Sequence, residues 1–359
     1  MSEPQTPDLK EAHSTFKTWK VIFPVVIGLV VVAFMFWHDA RKENLAAVWG
    51  EISWTPRAIG GVLLAWAFMM GRDVGLTWRF RALTDCTLSW RRAFRVDWLC
   101  EFTSCITPSA VGGSSLGMIF LNTQGVEFGR ATTLMITTIF LDELFLVVSC
   151  PIVVLCTPAR EIFASGASDF SQGIALTFWI VYAGIAAWTA LLFIGIILKP
   201  QGLRATLHAI CGIRLLRRWQ PKVDAMGDNM VATSGELRSK PFGFWLEAFG
   251  ATALSWLSRF MVVNALFLAF LPQDDPWQWV ILARQFVVWV ILMVSPTPGG
   301  SGLSEWLFTE YYGDMVPMAA MALILAIFWR VVSYYIYLVI GAFVVPRWLQ
   351  QTFGGRRKK

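Results

Sequence analysis

The stretch Ser295-Pro296-Thr297-Pro298-Gly299-Gly300-Ser301-Gly302 decides the fold, because it interrupts an apolar segment that runs from about residue 277 to 312. Proline has no amide proton and paired glycines favour turns, so an α-helix cannot continue through this sequence. Non-helical backbone at membrane depth is stable only where protein or a water-filled cavity satisfies its hydrogen bonds. The segment therefore either kinks as it crosses a membrane or turns back as a re-entrant hairpin.

The composition places this interruption in a membrane protein. Of the 359 residues, 56% are hydrophobic and 15% are charged, against about 45–50% and 25% in soluble domains. Apolar runs such as 174–198 are long enough to cross a bilayer. Soluble enzymes are thereby excluded. The net charge of +6 does not indicate a nucleic acid partner, because the basic residues lie in loops between apolar segments.

Eight apolar segments can be marked, and a second one is interrupted like the first. Its break is Thr107-Pro108-Ser109-Ala110-Val111-Gly112-Gly113-Ser114. We interpret the first segment as a retained span, since it has no clear signal-peptide cleavage site. The segments lie at roughly 21–37, 58–80, 93–122, 131–157, 173–198, 242–271, 277–312 and 317–345.

The charges of the loops indicate whether the two interrupted segments cross the membrane or turn back as hairpins. Eight Lys and Arg lie in 199–241, five in 79–95, five in the C-terminal tail and three at the N-terminus, whereas the loops at 158–171, 271–277 and 313–316 are acidic. If both broken segments crossed the membrane, the loop with eight basic residues would be exported, against the positive-inside rule. We therefore predict an all-α protein with six full spans, two re-entrant helical hairpins and both termini in the cytoplasm.

The two interruptions also resemble each other in sequence. Gly125 precedes Asp142 by the same spacing that separates Gly313 from Arg330, and Arg72 and Arg259 lie in the spans before the two breaks. Combined with the topology, this predicts two inverted repeats, an architecture typical of transporters. Chance similarity between Gly- and Pro-rich breaks is the alternative. The predicted divisions are 1–20 as cytoplasmic N-terminus, 21–157 and 158–345 as membrane repeats, the second including the basic loop 199–241, and 346–359 as basic tail.

Charged residues inside apolar segments need partners or water. An arginine at a helix centre costs about 2.5–3.5 kcal/mol to insert. Asp73, Asp97 and Glu247 lie near segment ends, where we expect them to be solvated. The deeper residues form either a structural ion-pair network or a functional site, and the repeat predicts that Asp142 pairs with Arg330. The candidate coupling or ion-pair residues are Asp142, Glu143, Glu305 and Arg330.

The return arm of each hairpin should begin as a helix N-terminus, whose free N–H groups and dipole bind anions such as a lipid phosphate. Close backbone packing is the other role open to paired glycines. Glu305 has either a structural role, in which it caps its own helix or pairs with Arg259 or Arg330, or a functional one, in which it titrates to couple transport to protons. The candidate substrate-binding residues are Gly112, Gly113, Ser114, Arg259, Thr297, Pro298, Gly299, Gly300, Ser301, Glu305 and Arg330.

The sequence contains no pattern typical of a catalytic or metal-binding site. The six cysteines lack metal-ligand or disulfide spacing, and the three histidines are isolated. We expect no catalytic group, metal or cofactor.

The stretch Pro296-Thr297-Pro298-Gly299-Gly300-Ser301-Gly302-Leu303-Ser304-Glu305 resembles the TPGG-x-G-x-x-E hairpin of the lysylphosphatidylglycerol synthase transmembrane, or flippase-like, family of bacteria and archaea. Arg330 and Tyr334 resemble the arginine and aromatic of the family's last span, and Pro108 with Gly112-Gly113 its weaker first motif. Leu116, Gly117 and Met118 stand where the family often has an arginine, so the resemblance supplies no basic headgroup contact in the first half.

The resemblance implies a flippase that moves an anionic or amphipathic lipid between leaflets of the bacterial inner membrane. A synthase is not expected, because the chain ends at Lys359 without an aminoacyl-transferase domain. The alternatives are an integral-membrane enzyme acting on a phospholipid or polyprenyl-linked substrate, and a membrane assembly factor. Expected partners are a membrane phospholipid or lipid-linked substrate and anionic inner-leaflet lipids at the basic loops; the sequence leaves a homo-oligomer open.

Overall fold

The computed structural model describes residues 54–106, 112–163, 169–198, 234–271, 278–295 and 299–341, together with 201, 202, 231 and 297. All the regular structure within these ranges is helical. The predicted first span 21–37, most of the basic loop 199–241 and the C-terminal tail lie outside the described residues.

The described helices follow the predicted apolar segments. Five of them are long and apolar enough to cross a membrane. The helices are α1 (Pro56–Leu83), α2 (Trp90–Ile106), α3 (Gly112–Thr123), α4 (Phe128–Cys156), α5 (Ala159–Ile162), α6 (Asp169–Phe193, continued by a π turn Ile194–Leu198), α7 (Phe242–Phe270), α8 (Gln278–Leu292), α9 (Leu303–Tyr312, followed by a 3₁₀ turn Gly313–Met315) and α10 (Ala319–Arg330, continued by a π turn Val331–Tyr335 and on to Gly341).

Each interrupted segment folds as a pair of short helices. Helices α2 and α3 have 17 and 12 residues, and α8 and α9 have 15 and 10. At about 1.5 Å per residue none of them exceeds roughly 26 Å, which is shorter than the roughly 30 Å hydrocarbon core. In the second pair the turn contains Gly299, Gly300 and Gly302 at φ of 58°, 70° and 86°, a left-handed region that glycine adopts without steric cost.

The two halves share one order of helices. A long helix (α1, 28 residues), a short pair and a second long helix (α4, 29 residues) are followed, after α6, by the same order in α7 (29 residues), α8, α9 and α10.

Helices α1 and α7 pack closely and run antiparallel. Arg57 at the start of α1 donates to the carbonyl of Leu268 at 2.8 Å, and Asp85 after its end pairs with Lys240 before α7 at 2.7 Å. A Cβ on Gly61 would lie 2.5 Å from Cβ of Ala269. Small residues allow this approach, which maximises van der Waals contact where lipid gives little hydrophobic drive.

Ion pairs fix which helix ends lie together. Arg130 in the first turn of α4 pairs with Asp85, just after α1, at 2.7 Å. At the other end of α4, Thr157 accepts a hydrogen bond from Trp279 of α8 at 2.7 Å. Arg284 of α8 binds Asp314, just after α9, at 2.5 and 2.7 Å. The residues just before α2 and just after α3 therefore lie together at the start of α4. The outer ends of α8 and α9 lie together beyond the end of α4.

The contact between α1 and α7 can be tested with neighbouring glycines. Gly61→Ala should lower the free energy of unfolding by about 1–3 kcal/mol through overpacking. Gly60→Ala is the matched control, since its Cβ would meet nothing within 4 Å and alanine favours a helix. Unfolding midpoints in detergent measure both. Equal midpoints for the two variants would contradict the close α1–α7 contact.

Candidate ligand cavity between the two halves

A cavity of about 270 Å³ lies where the two short-helix pairs meet the long helices. It is bordered by both halves of the chain, and its lining combines indole rings with charged side chains. The polar and turn residues that line it are Glu101, Ser104, Cys105, Asp142, Glu143, Arg259, Gly299, Gly300, Arg330, Ser333 and Tyr334.

Tyr334 joins the inner ends of the two helix pairs. Its hydroxyl donates to the carbonyl of Cys105, in the last turn of α2, at 3.1 Å, and accepts from Ser301 Oγ at 3.1 Å. A Cβ on Gly299 would lie 2.1 Å from the Tyr334 ring. Gly299 is therefore required both by its positive φ and by the aromatic ring packed on it.

Glu305 and Arg330 form a buried ion pair beside the cavity. Arg330 Nε lies 2.9 Å from Glu305 Oε1, and Glu305 is 0% exposed. Its other oxygen accepts from the amide of Gly302 at 2.7 Å and from Ser304 Oγ at 2.8 Å. Arg330 also donates to the carbonyl of Gly299 at 3.1 Å. The structure thus has Glu305 in its capping and pairing role, and the ion pair holds the turn before α9.

The predicted pair between Asp142 and Arg330 is wrong, although both residues line the cavity. Asp142 accepts from Arg79 Nη1 at 2.5 Å and from Trp256 Nε1 at 2.8 Å. Equivalent positions in two repeats need not touch, and each charge is satisfied by a nearer group: Arg79 from α1, and Glu305 from the same half as Arg330. Glu143 also lines the cavity, and within the described part of the chain its buried Oε2 has no hydrogen-bond partner.

Arg259 differs from the other intramembrane arginines of the described chain. Among the described residues it forms no ion pair, and its Nε has no hydrogen-bond partner. Its guanidinium lies 4.1 Å from the ring centre of Trp289 and 5.7 Å from that of Trp256. Stacking on an aromatic face leaves the edge of a guanidinium free to bind an anion. The cavity is therefore lined by a cation that forms no ion pair with a described residue.

Arg72, the predicted counterpart of Arg259, binds carboxylates through both terminal nitrogens, while its Nε has no hydrogen-bond partner among the described residues. It pairs with Asp73 at 2.9 Å and with Glu101, and Tyr337 of α10 donates to both oxygens of Asp73 at 2.7 and 2.9 Å. The sequence prediction that Asp73 and Asp97 are solvated is wrong, since they are 7% and 1% exposed. Asp73 lies on α1 and Asp97 on α2, and because both helices pack within the bundle, a residue near the end of an apolar segment is not near water.

The sequence did not predict some of the residues that form or support the site. Arg79 and Tyr337 partner predicted residues, and Trp256 and Trp289 form the wall around Arg259. A signal existed for two of them. Arg79 follows Arg72 by seven residues, or two helical turns, and Trp256 precedes Arg259 by three, so each shares a helix face with its neighbour.

The predicted substrate-binding residues divide into those that line the cavity and those that support it. Arg259, Gly299, Gly300 and Arg330 line it, whereas Ser301 and Glu305 hold Tyr334 and Arg330 in place. Thr297 bonds to Ser295 at 3.0 Å within the turn, and Pro298 lies outside the described residues. Helix α3 begins at Gly112, but the side chain of Ser114 is not described.

Comparison with known proteins gives one family and a distant relative. The model of the family described as "Lysylphosphatidylglycerol synthase TM region" matches residues 21–341. A "UPF0104 membrane protein" of Archaeoglobus fulgidus is 24% identical over 251 residues, which cover 68% of this chain and 72% of the relative. No solved structure matches.

The ion pair between Glu305 and Arg330 can be measured by a double-mutant cycle. Glu305→Gln and Arg330→Gln should each cost about 3–5 kcal/mol, because each leaves a buried charge without its partner. The double variant should lose less than the sum of the two. Glu310→Gln, an exposed glutamate on the same helix, is the control and should unfold like wild type. Additive losses would contradict the pair, and a normal midpoint for Glu305→Gln would favour a titrating Glu305.

Proposed function

Since the chain belongs to the family of lysylphosphatidylglycerol synthase transmembrane regions, we propose that this multi-pass membrane protein moves an anionic or amphipathic lipid between the leaflets of the bacterial inner membrane. The observation that carries the proposal is Arg259, which lines a cavity between the two halves and forms no ion pair with a described residue.

The cavity lining carries Arg259 and Arg330 together with Glu101, Asp142 and Glu143, and we propose that an anion binds at Arg259, the arginine without an ion pair to a described residue. Among the described residues, Nε of Arg259 and the indole N–H groups of Trp289 and Trp329 are buried without hydrogen-bond acceptors, and all three residues line the cavity. An unsatisfied buried donor costs about 1–3 kcal/mol, and an unpaired cation in a membrane costs more. A phosphate has enough acceptor oxygens to satisfy several of these donors at once.

The apolar part of the lining suits an amphipathic ligand. Trp256, Leu292 and Met293 border the same cavity as the charged groups, so an acyl or prenyl chain next to a phosphate would find apolar contacts. The volume of about 270 Å³ is near the lower end of the roughly 300–1,000 Å³ of small-molecule pockets. It suits a headgroup better than a whole lipid.

We further propose that the fold comprises six spans and two re-entrant hairpins in an inverted repeat, with both termini cytoplasmic. Three observations support this: the short arms of α2, α3, α8 and α9, the shared order of helices in the two halves, and the ion pairs that place the outer ends of the two pairs at opposite ends of α4. In such repeats the binding site lies at the repeat interface near the bilayer midplane. Headgroup access then alternates as one half moves against the other.

Transport can be tested with purified protein in vesicles that contain fluorescent phosphatidylglycerol, by bleaching the outer leaflet. Arg259→Gln should slow lipid movement about 10- to 100-fold, the equivalent of a lost charge-assisted bond of 1.5–3 kcal/mol. Arg95→Gln, an exposed arginine on α2, should retain the wild-type rate. Movement at the rate of protein-free vesicles by the wild type would overturn the proposal. Chemical conversion of the lipid would instead identify the alternative, an integral-membrane enzyme acting on a phospholipid or polyprenyl-linked substrate.

The topology predicts which loops share a side. In a background without the six native cysteines, single cysteines at Arg91 and Glu127 should both react with an impermeant reagent from the cytoplasm. Cysteines at Gln273 and Pro317 should both react only from outside. Labelling of either pair from opposite faces would mean that its short helices cross the membrane, and the inverted-repeat arrangement would be rejected.

A further inference from the structure

Asp97 is a buried carboxyl group that forms no ion pair with a described residue. It is 1% exposed, and its Oδ2 has no hydrogen-bond partner among the described residues. It lies on α2 one helical turn before Glu101, so the two side chains share a helix face. It also interacts electrostatically with Asp73, Glu101, Arg72 and Arg79. A carboxylate among other carboxylates in a nonpolar environment is strongly unfavourable.

The charges around Asp97 do not balance. From α1 it faces Arg72, Asp73 and Arg79, but Arg79 is neutralised by Asp142 at 2.5 Å. Its own helix adds Glu101 and the thiol of Cys100, and α10 adds Tyr337, which bonds to Asp73. Arg72 and, through its attraction to Glu101, Arg259 supply two positive charges. Three carboxyl groups face them: Asp73, Asp97 and Glu101. One proton restores neutrality.

The hydrogen bonds indicate which carboxyl group takes that proton. Asp73 accepts from Tyr337 at both oxygens and from Arg72 at one, a pattern that suits the ionised form. Glu101 pairs with Arg72. Among the three, Asp97 alone makes no ion pair with a described residue and has a bare oxygen.

We propose that Asp97 is a proton-binding site, protonated in the resting protein and linked to the cavity through Arg72 and Glu101. The link deepens the proposed function and rests on it. Glu101 lines the cavity and shares the charge of Arg259. A phosphate bound at Arg259 takes over that charge and leaves Glu101 less compensated, which strengthens proton binding at Asp97. By linkage, a bound proton strengthens phosphate binding to the same extent.

The proton site is tested without any lipid by infrared spectroscopy of the full-length protein. A protonated carboxyl group has a C=O band that a carboxylate lacks. This band should be present in the wild type at neutral pH, absent in Asp97→Asn and retained in Glu310→Gln, a control at an exposed glutamate of α9 outside this cluster. Because Asn mimics a neutral Asp, Asp97→Asn should also unfold at the wild-type midpoint. An unchanged band in Asp97→Asn, or a markedly lower midpoint, would overturn the proposal.

The link to the cavity is tested by the binding of phosphatidylglycerol in nanodiscs at several pH values. Wild-type binding should weaken as the pH is raised through the range in which the infrared band disappears, and binding to Asp97→Asn should lose this dependence. An unaltered pH profile in Asp97→Asn would overturn the link. If the wild type shows the band but binds no phosphatidylglycerol at any pH, the proposed lipid function fails and the proton site remains.

Discussion

The buried ion pair between Glu305 and Arg330 is the interaction on which the centre of the structure depends. Two charges in a low-dielectric environment are tolerated only when each is paired and further hydrogen-bonded, and here every oxygen of Glu305 is used. The pair anchors the turn that contains Gly299, and that turn packs on Tyr334. Since Tyr334 also bonds to Cys105 of α2, one ion pair sets the position of both helix-pair tips and of the cavity between them.

The cavity is asymmetric although the order of helices repeats. Arg72 is surrounded by carboxylates, whereas Arg259 is surrounded by indole rings. Carboxylates neutralise a cation and accept its hydrogen bonds. Aromatic rings stabilise a cation more weakly, through cation–π contacts, and leave its hydrogen-bond donors available. The arginine of the first half is therefore neutralised by carboxylates within the protein, whereas we propose that the arginine of the second half binds the ligand. This division explains how two similar halves build a single site.

The sequence predicted the helices well because apolar runs and Pro-Gly breaks are local properties of a chain. The break at Ser295–Gly302 was located, and α3 begins at the glycine pair expected to start it. Ion-pair partners were predicted poorly. Asp142 pairs with Arg79 and not with Arg330, because partner choice depends on the rotation and approach of helices, which no local pattern encodes. The burial of Asp97 was missed for a similar reason: depth within a helix bundle is set by the neighbouring helices and not by distance from a segment end.

The π turn Val331–Tyr335 has a mechanical consequence for α10. Arg330, just before the turn, is bound to the second half through Glu305, and Tyr337, just after it, is bound to the first half through Asp73. Side chains on both sides of the π turn therefore bind α10 to different halves of the protein. Within the turn, Ser333 Oγ donates to the carbonyl of Trp329 at 2.6 Å. π turns within an α-helix are places where helices bend. If one half of the protein moves against the other, we therefore expect α10 to bend at this turn, beside the cavity.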